Sequence, residues 1–146
     1  MADGVFNIAK GAARQLADDN VNSLVVLLLQ ANETEANLID HDNVSVMLAA
    51  AGNTEATFTN YARKTGLTET TTIDDTGNTA SIDVPDQTWT SAGGATNNTL
   101  TKLIVAVQTG ADDTTLIPLS HHDFAVTTDG TDLTAQFDAA GFYEAS

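Results

Sequence analysis

The chain has 146 residues, 20 of them acidic against five basic, for a formal charge of -15. That charge repels polyphosphate, which all but excludes nucleic-acid binding, and it repels itself wherever salt is too dilute to screen it. Cysteine is absent, which excludes disulfides and thiolate metal sites, and 42% hydrophobic residues suit a globular chain rather than a disordered one.

Residues 1–66 and 67–146 differ in texture, but no linker or repeat divides them, so a single domain over 1–146 is expected. The first part is mixed helix and strand. Phe6 to Ala17 carries Phe6, Ile8, Ala12, Ala13 and Leu16 at helical spacing, and Asp18-Asp19-Asn20 ends it. Acids at a helix C-terminus oppose the dipole, so this last turn is expected to fray. Ser23 to Ala31 reads as a strand buried on both faces. Asn32-Glu33-Thr34-Glu35 looks like a helix start, and a second helix follows Asn43 and stops at Gly52. Thr54 to Lys64 has features of both states; Thr57, Phe58, Thr59 and Tyr61 favour a strand.

From Thr68 the chain is strand and turn. Thr68–Asp74 and Thr79–Val84 flank a hairpin loop, Asp75-Thr76-Gly77-Asn78. A short strand surrounds Trp89, the only tryptophan, which is expected to be at least half buried. Ala92 to Thr99 is a loop. Leu100 to Gln108 is the strongest β run of this half. Thr114 to Leu119 is a strand confined to an edge or an end by Pro118, which has no N–H to give. Phe124–Thr127 and Leu133–Phe137 form a last hairpin across Asp129-Gly130. The expected class is α+β and β-rich: short N-terminal helices with an antiparallel sheet or sandwich.

No constellation of residues assembles a catalytic site. His121-His122-Asp123 invites a metal reading, but adjacent strand residues point to opposite faces and no third ligand has a recognisable spacing. A turn into the final hairpin is the simpler reading. Asp40-His41-Asp42 is a polar turn whose aspartates suit helix capping. Asp74–Asn78 and Asp129–Asp132 are oxygen-rich, yet neither has the calcium-loop spacing, and turn chemistry explains both. Gly93-Gly94 lacks the lysine of a phosphate loop. Asn32, Asn43 and Asn97 open glycosylation triplets, with no secretory signal beside them. The longest apolar run, Leu24 to Leu29, is too short to cross a bilayer, so a soluble chain is expected. No metal or other cofactor is expected, and no membrane partner.

Several stretches resemble one family in order along the chain. They are Gly4-Val5-Phe6-Asn7-Ile8-Ala9-Lys10-Gly11, Glu55 to Lys64, Asp83-Val84-Pro85-Asp86-Gln87-Thr88-Trp89, Ala92 to Leu100, and Pro118 to Phe124 with Gly141-Phe142. The chain resembles small virion structural proteins of tailed viruses that infect actinobacteria and archaea. This chain is more acidic and has a shorter middle, which fits a host in high salt. The resemblance implies a non-enzymatic virion part assembled in the host cytoplasm. The first expectation is a capsid decoration, minor capsid or turret-base component, with the major capsid protein and copies of itself as partners. The alternatives are a tail, neck or baseplate component, or a small carbohydrate- or receptor-binding module using the Trp89 region. Docking would need an exposed apolar patch, for which the chain ends offer Val5, Phe6, Ile8, Phe142 and Tyr143.

Overall fold

Six consecutive apolar residues, Leu24 to Leu29, have one stable place in a folded chain: the centre of a sheet covered on both faces. The computed structural model describes residues 4–8, 23–138 and 141–145. In it Ser23–Ala31 forms β2, and all six of those residues are buried. The fold is α+β and β-rich, with antiparallel sheets and few short helices.

On one side β2 pairs with β8 (Lys102–Gln108) over seven residue pairs, from Ser23↔Gln108 to Leu29↔Lys102. Then come β9 (Leu116–Asp123) and β1 (Gly4–Val5). On its other side β2 pairs with β3 (Thr54–Glu55) and β4 (Lys64–Leu67). A second sheet joins β5 (Thr70–Asp74), β6 (Thr79–Asp83) and β11 (Tyr143–Ala145). A third is the pair β7 (Gln87–Trp89) and β10 (Leu133–Ala135). One hydrophobic cluster runs from Phe6 through β2 and β8 to Phe142.

The helical signals of the first part are short in space. Helix α1 spans Glu35–Leu38, with Glu35 in the first turn, where free N–H groups favour a carboxylate. Helix α2 spans Val44–Ala49, and its cap is Asn43, whose side chain accepts from the Val46 N–H at 2.9 Å. The aspartates at 40 and 42 do not make that cap, a correction. The N-terminal helix expected over Phe6–Ala17 lies outside the described residues beyond Ile8, as do Lys10, Arg14 and Asp18-Asp19-Asn20.

Thr54 to Lys64 is not one strand. Pairing with β2 stops after Glu55 and resumes at Lys64, and residues 56–63 leave the sheet between. The interruption leaves no bare backbone. Leu28 donates to the Tyr61 hydroxyl at 3.1 Å and accepts from the Ala56 N–H at 2.9 Å. The excursion lets Phe58 enter the core and gives the Trp89 indole N–H an acceptor, the Ala62 carbonyl at 2.8 Å.

Strand β9 is longer than expected and passes through Pro118 to Asp123. Its register shifts between Val105↔Ser120 and Ala106↔Pro118, so Leu119 is an extra residue and Pro118 sits beside a bulge. A bulge interrupts the ladder, and there a missing N–H costs least. The last hairpin is also corrected. Leu133–Ala135 pairs with Gln87–Trp89, and Phe124–Thr127 contributes only an isolated bridge, Thr99↔Thr127. The observed pairing brings Leu133 opposite Trp89 and leaves Ala135 buried.

Candidate functional site

Three of the five basic residues lie in the described part, and all three face inward or along the fold. Arg63 reaches across the end of the sheet. Its guanidinium grips Glu55 at 2.6 and 2.7 Å and Asp113 at 2.5 and 3.0 Å. Two bidentate pairs on one guanidinium fix the loop after β8 against β3. Hydrogen bonds to Glu55 and then Asp113 raise the Arg63 pKa further above its usual range. Tyr61 donates to the same Glu55 at 2.8 Å, and burial, with Glu55 beside it, pushes the phenol up.

Lys102 is buried at the start of β8. Its Nζ meets Glu35 of α1 at 2.5 Å and Asp123, its cross-strand partner. Burial works against its charge, but the bonds to Asp123 and Glu35 outweigh that and hold its pKa up. Lys64 lies over the Trp89 ring, 5.2 Å from its centroid. The surface built by the described residues is therefore more one-sidedly acidic than composition alone implies.

This pairing predicts an acid limb. The hydrogen bonds from Arg63 hold Asp113 below the usual carboxylate range. A group whose pKa is lower folded than unfolded adds stability above its unfolded value, about 4, and loses it as pH falls through the folded one. Asp113 is partly exposed, so its share is about 1 kcal/mol or less. Asp113→Asn should lose that much at pH 7, with a shallower decline below about pH 4. Urea titrations from pH 7 to 2.5 check this; parallel curves would contradict it.

The histidines do not form a site together. His121 and His122 lie within β9, not in a turn, and point to opposite sides as strand neighbours must. His121 is buried edge-on against Phe6 and under Gly4, where a Cβ would come within 2.5 Å of its Nε2. His122 bonds Ser120, two residues back on the same face, at 3.0 Å. His41 pairs with Glu33, not with its flanking aspartates. Glu33 also accepts from Asn53 at 2.9 Å, and the Asn53 amide donates to the Met47 carbonyl, so this group locks α2 to the end of β2. Among the described residues no group of three or more His, Asp or Glu is placed to hold a metal ion.

The acidic loops are turns. Asp74 accepts from the Thr76 and Gly77 N–H groups at 2.9 and 3.0 Å, and these bonds, Gly77 first, lower its pKa. Asp129 accepts from the Thr131 hydroxyl at 2.6 Å and its N–H at 3.0 Å. Gly93 serves packing: at φ +95° its Cα lies where a Cβ would stand 2.8 Å from the Thr128 hydroxyl. Through it the loops 57–60, 91–99 and 127–132 are bonded together, as in Thr57 N–H to Asn98 at 2.6 Å and Gly93 N–H to the Thr59 carbonyl at 2.9 Å.

The expected docking residues divide. Phe6 is 0% exposed and Phe142 8%, so both belong to the core and neither offers an exposed patch, a correction. Hydrophobicity near a chain end signals burial as readily as docking. Val5 is half-buried against the core, and Ile8 is 37% exposed. Tyr143 pairs with Ile82 in β11, and its side chain lies outside the description. Trp89 is 1% exposed, so its ring cannot stack on a glycan. A cleft of about 390 Å³ lies between Leu103, Phe124, Phe137 and Phe142, with Asp123 and Asp138 among its lining residues. Sequence reading missed three exposed apolar side chains among the described residues, Val46, Val126 and, most exposed at 65%, Ile73 on β5; the place of Ile73 in the hairpin was legible, its exposure was not.

Comparison of the chain with protein-family models, curated protein sequences and solved structures gives no match.

Proposed function

We propose that this chain is a multi-copy, non-enzymatic structural component of a tailed-virus particle, docked on the outer surface of the capsid. The ordered resemblance along the chain carries this reading. The ion-paired Arg63 and Lys102, with Lys64 laid over Trp89, support it: an acid shell suits the outside of a capsid, away from packaged DNA. Its partners are then the major capsid protein and further copies of itself. Mass spectrometry and cryo-EM of purified particles test the reading. Hundreds of copies on the shell are expected; one ring or a handful would move the chain to the neck or tail, and no copy would overturn the proposal.

A host in high salt is part of the same reading. Charges of one sign repel over about 10 Å at 0.1 M salt and about 3 Å at 1 M. The melting temperature should therefore rise between about 0.1 M and 2 M KCl. Calorimetry across that range checks it, and a flat profile would count against adaptation to salt.

A further inference from the structure

Strand β5 is the longest exposed edge among the described residues. It pairs only with β6, and all five of its residues are exposed. Proteins commonly blunt such an edge with lysine, proline, a bulge or shortness. The other edges among the described residues are shorter: β1 and β3 have two residues each, β7, β10 and β11 three each, and β4 four. Strand β5 has none of these devices; its one charge, Asp74, sits at the turn end and accepts two turn N–H groups. Its sequence, Thr70-Thr71-Thr72-Ile73-Asp74, has neither lysine nor proline, and its register with β6 is unbroken from Thr70↔Asp83 to Asp74↔Thr79.

Its two faces differ. Alternation puts Thr71 and Ile73 on one face with Ile82, the partner of Thr71, and Thr70, Thr72 and Asp74 on the other. Ile82 is buried against the body, where the Phe142 N–H bonds its carbonyl at 2.9 Å. Ile73, further toward the turn on that same face, is 65% exposed. The hairpin thus carries its apolar face beyond the part of the molecule that covers it.

We infer that β5 is a strand-pairing surface for β5 of a second copy, joining two three-stranded sheets into one of six about a two-fold axis through Thr72. Full overlap of the five residues defines this register. It sets Thr72 against Thr72, Ile73 against Thr71, and Asp74 against Thr70; the like charges brought opposite, Glu69 and Asp75, lie just beyond the strand ends, where salt screens them. The two Ile73 side chains fall on one face as diagonal neighbours, about 7–8 Å apart, each packing on the Thr71 of the other copy. A basic partner strand would meet only one carboxylate within β5, Asp74, one of whose oxygens already accepts two turn N–H groups. The pairing does not rest on the virion reading, and its test needs only the purified chain.

The absence of cysteine in the chain makes the test direct. Sedimentation velocity of the full chain should show a monomer at 0.1 M KCl and a growing dimer fraction toward 2 M, because screening removes the repulsion between two acidic bodies. Ile73→Lys should abolish the dimer while far-UV circular dichroism stays unchanged; it does so even though it lowers the net negative charge. Thr72→Cys should form an intermolecular disulfide under mild oxidation at 2 M KCl, since residues facing across an antiparallel pair come within disulfide range. Thr88→Cys, on the exposed face of β7, should cross-link at least tenfold more slowly. A monomer at every salt concentration, a dimer indifferent to Ile73→Lys, or equal cross-linking at positions 72 and 88 would each overturn the inference.

Discussion

Replacing Trp89 by alanine is expected to cost about 3–5 kcal/mol, enough to leave a marginal domain largely unfolded. The ring is 1% exposed, its N–H bonds the Ala62 carbonyl, and Lys64 covers one face. It therefore joins three things at once: the β7–β10 pair, the excursion after β3, and β4. Removal leaves a large cavity and takes the indole donor from the Ala62 carbonyl. Trp89→Phe keeps most of the ring and loses the hydrogen bond, so a smaller loss, about 1–2 kcal/mol, is expected. Urea unfolding followed by circular dichroism measures both, since the variants lack the tryptophan signal. A loss under about 1 kcal/mol for Trp89→Ala would show that the site relaxes into the space.

Phe6→Ala is expected to be nearly as costly, about 3–5 kcal/mol. Phe6 is fully buried, stands edge-on to His121, and its N–H bonds the Leu119 carbonyl at 3.1 Å. Deleting residues 1–10 would remove β1 and this side chain together, and would expose the edge of β9. Such a truncation is therefore expected to lower the melting temperature, and failure of the truncated chain to join a particle would not by itself reveal a docking segment. Ile8→Ala is the cleaner probe, because Ile8 is 37% exposed and its loss should change stability by less than about 1 kcal/mol. Calorimetry of the three variants separates the cases. Equal melting temperatures for Phe6→Ala and the parent would contradict the core assignment.

Much of this protein was determined by the sequence itself. The run Leu24–Leu29 and the β run ending at Gln108 carry their own burial, because six or more apolar residues cannot stay in water. The hairpin over Asp75–Asn78 and the cap at Asn43 follow from contacts a few residues apart. The acid excess needs no structure at all.

Tertiary structure decided the rest. Thr54–Lys64 could have continued as a strand on local preference, but leaving the sheet buries Phe58 and supplies Trp89 with an acceptor. Leu133–Ala135 could have folded back on Phe124–Thr127, but its pairing with Gln87–Trp89 is built on residues more than forty positions away. Pro118 lies within β9 because a bulge relieves it of a bond it cannot make. The ion pairs of Arg63 with Asp113 and of Lys102 with Glu35 span 50 and 67 positions. Periodicity and turn residues report the free energy of a segment against water and its near neighbours. Which strand it meets, and which end-lying phenylalanine is enclosed, depends on how the whole chain divides a limited interior.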